Sequence, residues 1–500
     1  MKKIKCLQHL GYVTFLLLLS SCDIKGANDP YSYAPKTPDT IWEPPLKAQH
    51  RLLYQSLERD MEDYHQFSKE SPLTLAEIID ISLSKNPSTK QSWALARVSA
   101  AEYGQSLQNS FIQAEVDGSY MRKRYGQFSG HQKAILHETQ YGGGIELSYR
   151  ILDFGQTRTS SEAALQSLFN ADWSHNSQIQ QTIQTLMQDY YYYLYQKQLL
   201  VSAEQDVKNA SISLDATEEK FRQGLADVSD IVQAKTSYLQ QKLMVVNQKQ
   251  NLHQSYTQLV KDMGLPSDTA YYFQNYPDTI VPFDLETLDK LIVKAQDNRP
   301  DLLAAEALVK SQESHCKAAR LKKLPVVKGE FDFGRKYYRH GLNDKYDFTA
   351  QVSLNFPLFQ GFFIENSIKV AKGHLEEACA ELEKVQLTIV QEVSNYRSAV
   401  HYAQESLEYA QTYLSSAEEE FKVNLKKYKI GTGTIVDLIN AQTSVADARS
   451  KLSQAQNNWY TSIANLAFAT GILFPNKDET KKHYIEMIEN KDNLHETPSQ

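Results

Sequence analysis

The stretch that decides the fold lies near the carboxyl end and reads Tyr428-Lys429-Ile430-Gly431-Thr432-Gly433-Thr434-Ile435-Val436-Asp437-Leu438-Ile439-Asn440-Ala441-Gln442. A weaker copy runs from Phe221 to Lys235, at a constant offset of 207 residues. The matching pairs are Gly224 and Gly431, Asp230 and Asp437, Ala234 and Ala441, Thr236 and Thr443, and Ser237 and Ser444. A repeat this long indicates the duplication of a half-molecule, which excludes most ordinary enzyme folds.

Each half begins with a pair of helices. The pattern predicts a short helix over 73–85 and another over 285–298. These helices end at Asn86 and Arg299, because a residue that precedes proline avoids the helical conformation. A second helix follows in each half, to about residue 110 and about residue 323.

The period of the apolar residues then changes to two. Val116 and Tyr120 alternate with polar residues, as do Ile145 and Leu147 in the next segment and Phe331 and Phe333 in the second half. Such alternation predicts strands with one apolar and one polar face, each about ten residues long, as a tilted membrane strand requires. Tyrosines near the strand ends fit an interfacial girdle. We expect polar loops at 126–139 and 339–345, and a small soluble sheet is the alternative.

Two very long helices follow the strand pairs, from about Thr157 to Arg222 and from about Phe363 to Lys429. Neither contains a proline, so each spans about 100 Å at helical rise. Helices of this length pair as antiparallel coiled coils. Each reverses at a glycine turn, and the returning helices end near Gly264 and Gly471. The fold class is therefore mainly α with a β-barrel part, built from a duplicated helix–hairpin–helix unit.

The amino terminus has the form of a bacterial lipoprotein signal. Three lysines precede an apolar run from Leu10 to Leu19, which is too short for a permanent membrane helix. The run ends at Leu19-Ser20-Ser21-Cys22, which resembles a lipoprotein cleavage box. We predict a signal peptide at 1–21 and lipid on Cys22; the alternative is a plain signal peptide with an incidental cysteine. The further divisions are a lipidated extension at 22–72, repeats at 73–283 and 284–474, and a polar tail at 475–500.

Composition excludes several classes of function. The net charge of −7 gives no electrostatic argument for nucleic acid. The sequence contains no phosphate loop, no metal-spaced Cys/His cluster and no nucleophile elbow, so we expect no catalytic site, no metal and no cofactor. A disulfide between Cys316 and Cys379 is conceivable outside the cytoplasm. However, the helix register separates their levels by roughly 20 Å, so we predict that they do not pair.

The duplicated helix–hairpin–helix unit and the stretch 428–442 resemble the TolC-type outer-membrane efflux channels, over roughly residues 73–474. Four strands cannot close into a barrel, and open edges cannot remain in lipid, so several chains are needed. The resemblance implies a homotrimer with twelve strands and a periplasmic tube of helices. It also implies two partners, which are a periplasmic adaptor and an inner-membrane pump of the resistance-nodulation or ATP-driven type.

The resemblance also implies roles for the two helix turns. In the family the turns touch the adaptor, which assigns Gly224, Leu225, Gly431, Thr432, Gly433 and Thr434 to this contact. The glycines by themselves indicate only that a helix ends at each turn, because glycine permits the positive φ of a helix end.

The aperture residues follow from the same resemblance. Asp437 occupies the position of an acidic ring that favours cations, and Asn440 replaces a second family aspartate. Tyr428 and Asp230 match a pair that holds the closed state, while Gly433 replaces an arginine whose partner would be Ser229. The residues alone also permit a simpler role, because carboxylates in a first helical turn stabilise the helix amino terminus.

We therefore expect a bacterial outer-membrane exit duct that is anchored by lipid and does no chemistry. The alternative is a structural coiled-coil lipoprotein that does not conduct, and the alternating strands favour the duct. The tyrosine run Tyr190–Tyr195 is interpreted as packing between helices, not as a drug site. The sequence does not indicate whether the cargo is a small molecule, a metal ion or a protein.

Overall fold

The computed structural model describes residues 31, 34, 37–40, 72–129, 132–265, 271–276, 285–338 and 346–473. The chain forms two compact units, one of residues 1–36, 95–173 and 303–383, and one of residues 37–94, 174–302 and 384–500. The signal peptide, Cys22 and the tail at 475–500 lie outside the described residues, so their predictions stay untested.

Six elements occur twice in the same order. The first copy comprises α1 (Leu75–Lys85), α2 (Pro87–Ser106), β1 (Gln113–Ser129), β2 (Gln132–Leu152), α3 (Gln156–Arg222) and α4 (Val228–Asp262). The second copy comprises α5 (Leu288–Asn298), α6 (Pro300–Leu321), β3 (Val326–Tyr338), β4 (Asp347–Asn355), α7 (Phe363–Lys429) and α8 (Ile435–Ala469). The predicted duplicated, mainly helical fold with four strands is confirmed. Among the described residues, no helix is both long enough and apolar enough to cross a membrane.

The short helices end where the sequence predicts, and they begin two and three residues later than predicted, at Leu75 and Leu288. Thr74 caps α1, since its hydroxyl accepts from the Glu77 amide while the Glu77 carboxylate accepts from the Thr74 amide at 2.7 Å. Asn86 and Arg299 are extended, with ψ of 129° and 122°, immediately before their prolines.

The first unit contains one antiparallel sheet in the order β1-β2-β3-β4. Its register aligns one apolar row across all four strands, made of Val116, Ile145, Phe333 and Phe348. Val116 is 83% exposed and Phe348 is 69% exposed, so this apolar face is uncovered in a single chain. The neighbouring row is polar, made of Glu115, Glu146, Asp332 and Thr349. The alternation predicted from the sequence is confirmed.

The first hairpin is longer than predicted. Most of the expected loop at 126–139 is strand, because β1 and β2 remain paired up to Ser129 and Gln132. They contain 17 and 21 residues, where about ten were expected. The ladder bonds join backbone atoms, so pairing continues where side chains no longer alternate. The expected loop at 339–345 lies outside the described residues.

Small residues line the helical part of the first unit. Buried alanines include Ala163, Ala304 and Ala307. The Ser311 hydroxyl donates to the Ala163 carbonyl at 2.9 Å and lies 2.8 Å from Ser167 Oγ, which requires α3 and α6 to approach closely. Cys316 is buried and Cys379 is exposed, and both are free thiols, which confirms that they do not pair.

Aromatic side chains form much of the core of the second unit. Tyr190 is buried, and its hydroxyl donates to the Gln274 carbonyl at 2.9 Å. Tyr191 stacks on Tyr276 and Tyr460, with ring centroids 6.2 and 5.0 Å apart. Tyr193 meets Phe273 edge to face. The packing role predicted for the tyrosine run is confirmed.

Candidate functional site

The two glycine turns have the same backbone geometry. Gly224 and Gly431 have φ of +70° and +84°, which a residue with a Cβ adopts at a cost. After each glycine, the next amide bonds back to the last helical turn. Leu225 donates to the Lys220 carbonyl at 2.8 Å, and Thr432 donates to the Lys427 carbonyl at 3.0 Å. Both turns are therefore Schellman caps, as the sequence predicts for a glycine at this position.

The aspartates that follow the turns are N3 residues of capping boxes. The Asp230 carboxylate accepts from the Asp227 amide at 3.4 Å, and the Asp437 carboxylate accepts from the Thr434 hydroxyl at 2.6 Å. Both carboxylates also lie at the positive end of a helix dipole. The simpler helix-capping role is therefore present in both copies.

Asp437 combines exposure with a stable negative charge. Its hydrogen bonds to Thr434, together with the nearby Lys427 charge, lower the pKa of the carboxyl below its usual value. Asn440 is exposed one turn further along α8, and Ser229 is exposed on α4. These three side chains are all exposed in a single chain.

Tyr428 has a different partner from the one that the resemblance implies. Its hydroxyl donates to Thr217 Oγ1 on α3 at 3.2 Å, whereas Asp230 is occupied in capping its own helix. The side chain is 2% exposed. Burial raises the pKa of the Tyr428 hydroxyl, and the Asp230 charge adds to this effect. Within the described residues of one chain, the phenol therefore bonds to a hydroxyl and not to the carboxylate.

Lys220 is a second contact at this position, and sequence reasoning missed it. Its ammonium donates to the Tyr428 carbonyl at 2.8 Å and lies 4.1 Å from the centroid of the Tyr428 ring. The lysine thus caps the carboxyl end of α7 from the neighbouring helix α3. In the sequence, Lys220 is one of many charged residues in a helix with a largely polar composition. Only the fold identifies its contact with Tyr428.

Gly433 occupies a crowded position. A Cβ added there would lie 3.1 Å from Lys427 Cβ and 3.2 Å from the Tyr428 nitrogen. The arginine that the resemblance leads one to expect would require this turn to shift.

The outermost part of the turns is apolar and uncovered. Leu225 is 67% exposed in the first turn, where Val228 is also exposed, and Ile430 is 75% exposed in the second. Exposed apolar side chains at the end of a coiled coil are typical of a contact with another protein. Within the described residues, no group of three or more His, Cys, Asp or Glu is arranged to hold a metal ion.

Comparisons of sequence and of fold both find outer-membrane efflux proteins or channels that are similar to this chain. The model of the family described as outer membrane efflux protein matches residues 78–265 and 291–472. Protein CyaE of Bordetella pertussis is 22% identical over 76% of this chain and 80% of its own length. The probable efflux pump outer membrane protein TtgC of Pseudomonas putida is 22% identical over 79% of this chain and 82% of its own. The crystal structure of the CmeC outer membrane channel of Campylobacter jejuni superposes with a TM-score of 0.74 at 17% identity, covering 92% of this chain and 95% of that one.

Proposed function

Because the chain belongs to the outer membrane efflux protein family, we propose that three copies of it form a passive exit duct that an adaptor couples to an inner-membrane pump. The protein is an efflux channel of the bacterial outer membrane with a periplasmic tunnel. The trimer, the adaptor and the pump are the parts that we propose.

The observation that carries this proposal is the uncovered four-stranded sheet. It has two unpaired edges, on β1 and β4, and an apolar face open to the surroundings. Unpaired edges cannot stay in lipid, so neighbouring copies must complete the ladder. Three sheets of four strands give a barrel of twelve strands, which is the arrangement of the TolC-type channels.

The lipid anchor and the energy source lie outside this barrel. Cys22 would carry the acyl chains that tie the extension 22–72 to the membrane. The duct itself would do no chemistry, and transport energy would come from the pump. The exposed apolar turns at Leu225 and Ile430 are the surface that we assign to the adaptor.

Asp437 would form the acidic ring of the aperture, with one carboxylate from each chain. The lowered pKa of this carboxyl supports the assignment, because the ring would stay charged across the physiological pH range. Asn440 contributes no charge, so the ring would hold three carboxylates rather than six.

Purified full-length protein in detergent tests the assembly. Native mass spectrometry should give a mass near three protomers, and planar bilayers should record discrete conducting steps. A stable monomer that keeps its full β content would contradict the trimer. A folded trimer without any conductance, in the wild type and in variants of the aperture, would instead favour the non-conducting structural lipoprotein.

A further inference from the structure

The two connections that lead from the sheet into the long helices have the same backbone. In the first copy, Phe154 and Gly155 have φ of +53° and +85°; in the second, Gly361 and Phe362 have φ of +58° and +64°. The first amide of each long helix donates to the carbonyl three residues earlier, at 3.1 Å in both copies. Because the two backbones match, a difference between their side chains is not required by the fold.

The side chains of the two connections do differ. In the first copy the Asp153 carboxylate accepts from the Gly155 and Thr157 amides, at 3.0 and 2.8 Å. Gln360 stands at the equivalent position of the second copy, among apolar side chains. Leu358 is 84% exposed there, and the Phe359 and Phe362 rings meet edge to face at 5.5 Å. The exposed apolar residues of this second connection, which we call the aromatic collar, are Phe356, Leu358, Phe359, Phe362 and Phe363.

The end of α6 lies at the same edge of the sheet as the aromatic collar. Val326 at the start of β3 pairs with Asn355 at the end of β4, so α6 and α7 join the sheet side by side. Lys323 Nζ also lies 3.6 Å from Glu365 Oε1 in the first turn of α7. The lysines that follow α6 are therefore neighbours of the collar.

Positive charge accumulates next to the aromatic collar. Residues 317–323 and 363–372 contain six cations and one carboxylate, although the whole chain has a net charge of −7. The equivalent residues of the first copy, 102–108 and 156–165 when counted from the helix ends, contain one arginine and two glutamates. The positive surplus is thus specific to the second copy. Its six cations are all exposed, and we call them the basic belt: Lys317, Arg320, Lys322, Lys323, Lys369 and Lys372.

The aromatic collar continues the apolar face of the sheet. Phe348, Val352 and Leu354 are exposed on one face of β4, and Phe356 follows at the same two-residue spacing. The basic belt comes next, on the helical side, which is the periplasmic side of the channel. An apolar surface, then aromatic rings, then cations is the order in which a protein meets acyl chains, the interface and lipid phosphates.

We propose that the aromatic collar and the basic belt form a binding site for the headgroup of an anionic phospholipid, one site in each chain, at the periplasmic rim of the sheet. The inference rests on the proposed function for the position of the sheet in the membrane. The cations would bind the phosphate through charge-assisted hydrogen bonds, and the rings would pack on the glycerol and the upper acyl chains. A zwitterionic lipid carries its own cation, so the positive surplus favours a lipid with net negative charge.

A tryptophan introduced by Phe359→Trp tests the site in the full-length trimer, reconstituted into phosphatidylcholine vesicles. Its fluorescence is quenched by brominated phosphatidylglycerol or by brominated phosphatidylcholine, and the signal of the native tryptophans is measured on the unsubstituted protein and subtracted. Phosphatidylglycerol should bind at this position about fivefold or more tightly than phosphatidylcholine, because each cation near the surface attracts anionic lipid. Phe154→Trp is the matched reporter in the first copy, where we expect no preference.

Charge variants separate the headgroup site from general attraction to the membrane. Combining Arg320→Gln, Lys322→Gln and Lys323→Gln should reduce the preference at the Phe359→Trp reporter to below about twofold. The control combines Lys235→Gln, Lys242→Gln and Lys249→Gln, which removes three charges from exposed positions of α4. Sodium chloride at about 1 M should also weaken the preference, because it shortens the screening length to about 3 Å. Inorganic phosphate at equal ionic strength should weaken it no further.

The outcomes distinguish the lipid site from the duct itself. Equal quenching by the two lipids at the Phe359→Trp reporter, or quenching by neither, would overturn the site. The same preference at the Phe154→Trp reporter would also overturn it, and a specific loss in inorganic phosphate would assign the cations to a soluble anion instead. The two reporters need no charge variant, so they decide the proposal even where the triple variant does not assemble. Conducting trimers would leave the duct intact in each case, whereas unsubstituted protein that neither assembles nor conducts would count against the proposed function.

Discussion

The Tyr428 hydroxyl donates a 3.2 Å hydrogen bond to Thr217, which ties the last turn of α7 to the end of α3 within one chain. Lys220 strengthens the same junction through the Tyr428 carbonyl. The contact predicted to close the channel by way of Asp230 thus has a different acceptor, on a different helix. The consequences of this difference are measurable.

Replacing Tyr428 with Phe should raise single-channel conductance. The change removes a bond worth about 0.5–1.5 kcal/mol net, and the symmetric copies act together. Thr217→Val should have a similar effect, and combining the two should add little, since both remove one bond. Tyr413→Phe is the control, because it removes a hydroxyl bond to Asp447 on the exposed side of the same helix. An effect of Asp230→Asn without any effect of Tyr428→Phe or Thr217→Val would contradict this assignment.

Asp437→Asn should reduce the cation preference of the pore and its block by multivalent cations. Asn440→Asp should do the reverse, because it adds a second carboxylate one turn along α8. The lowered pKa of Asp437 adds a pH signature: the cation preference of the wild type should persist as the pH falls to about 4, the usual value for such a carboxyl. Reversal potentials in a salt gradient measure the cation preference of the wild type and of both variants, and the fall in current on adding multivalent cations measures the block. Equal potentials for wild type and both variants would remove Asp437 from the aperture.

Asp189 should make the folded protein less stable as the pH rises. Burial, together with the neighbouring Asp262 carboxylate, raises the pKa of Asp189 to about 8. Between about pH 4 and pH 8 the unfolded carboxyl is ionised and the native one is protonated, so stability falls across this window and levels off above it. The gain in Tm from Asp189→Asn should therefore grow from pH 5 to pH 8. Asp215→Asn, at an exposed position of the same helix, controls for the lost charge. A gain that is independent of pH would contradict the prediction.

Gly431→Ala should loosen the second turn, because φ of +84° costs about 1–2 kcal/mol once a Cβ is present. Trypsin cleavage at Lys427 and Lys429 should become roughly five- to thirtyfold faster if it tracks local opening. Gly373→Ala is the control, and its expected effect on stability has the opposite sign. Gly373 lies within α7 with open space around it, and alanine at this position favours the helix by about 0.5–1 kcal/mol. Unchanged cleavage at the turn would show that its opening is limited elsewhere.

Cys22→Ala should abolish labelling of the protein by palmitate and slow the removal of residues 1–21, because this thiol is the expected attachment point for lipid. Cys379→Ala is the control, since that cysteine is exposed and free. Labelling that survives the Cys22 change would assign the acyl chain to another residue.

Much of the candidate site could be predicted from the sequence because it depends on local rules. Gly224, Gly431, Asp230 and Asp437 hold positions that a helix end or a helix start dictates, and the structure places each of them accordingly. The resemblance supplied the aperture residues, whose roles stay predictions. Thr217, Lys220 and Arg449 were missed, because a polar residue at helical spacing looks the same whether it faces water or a second helix.

The length of the first hairpin is a second feature that the sequence pattern did not predict. Side-chain alternation ends near Tyr125, but β1 and β2 remain paired to Ser129 and Gln132. The ladder is made by backbone atoms that every residue carries, so sequence pattern alone understates its length.

By itself, the sequence determined the duplication, the order of helices and strands, the glycine turns and the apolar face of the sheet. Each of these follows from periodicity, from the φ that glycine allows or from the residue that precedes a proline, all of which act over a few neighbouring positions. Only the tertiary structure decided which helix receives the Tyr428 hydroxyl and which carboxylates hold Arg449. The Tyr428–Thr217 and Arg449–Asp206 contacts join residues more than 200 positions apart, and their geometry depends on how whole helices pack against one another.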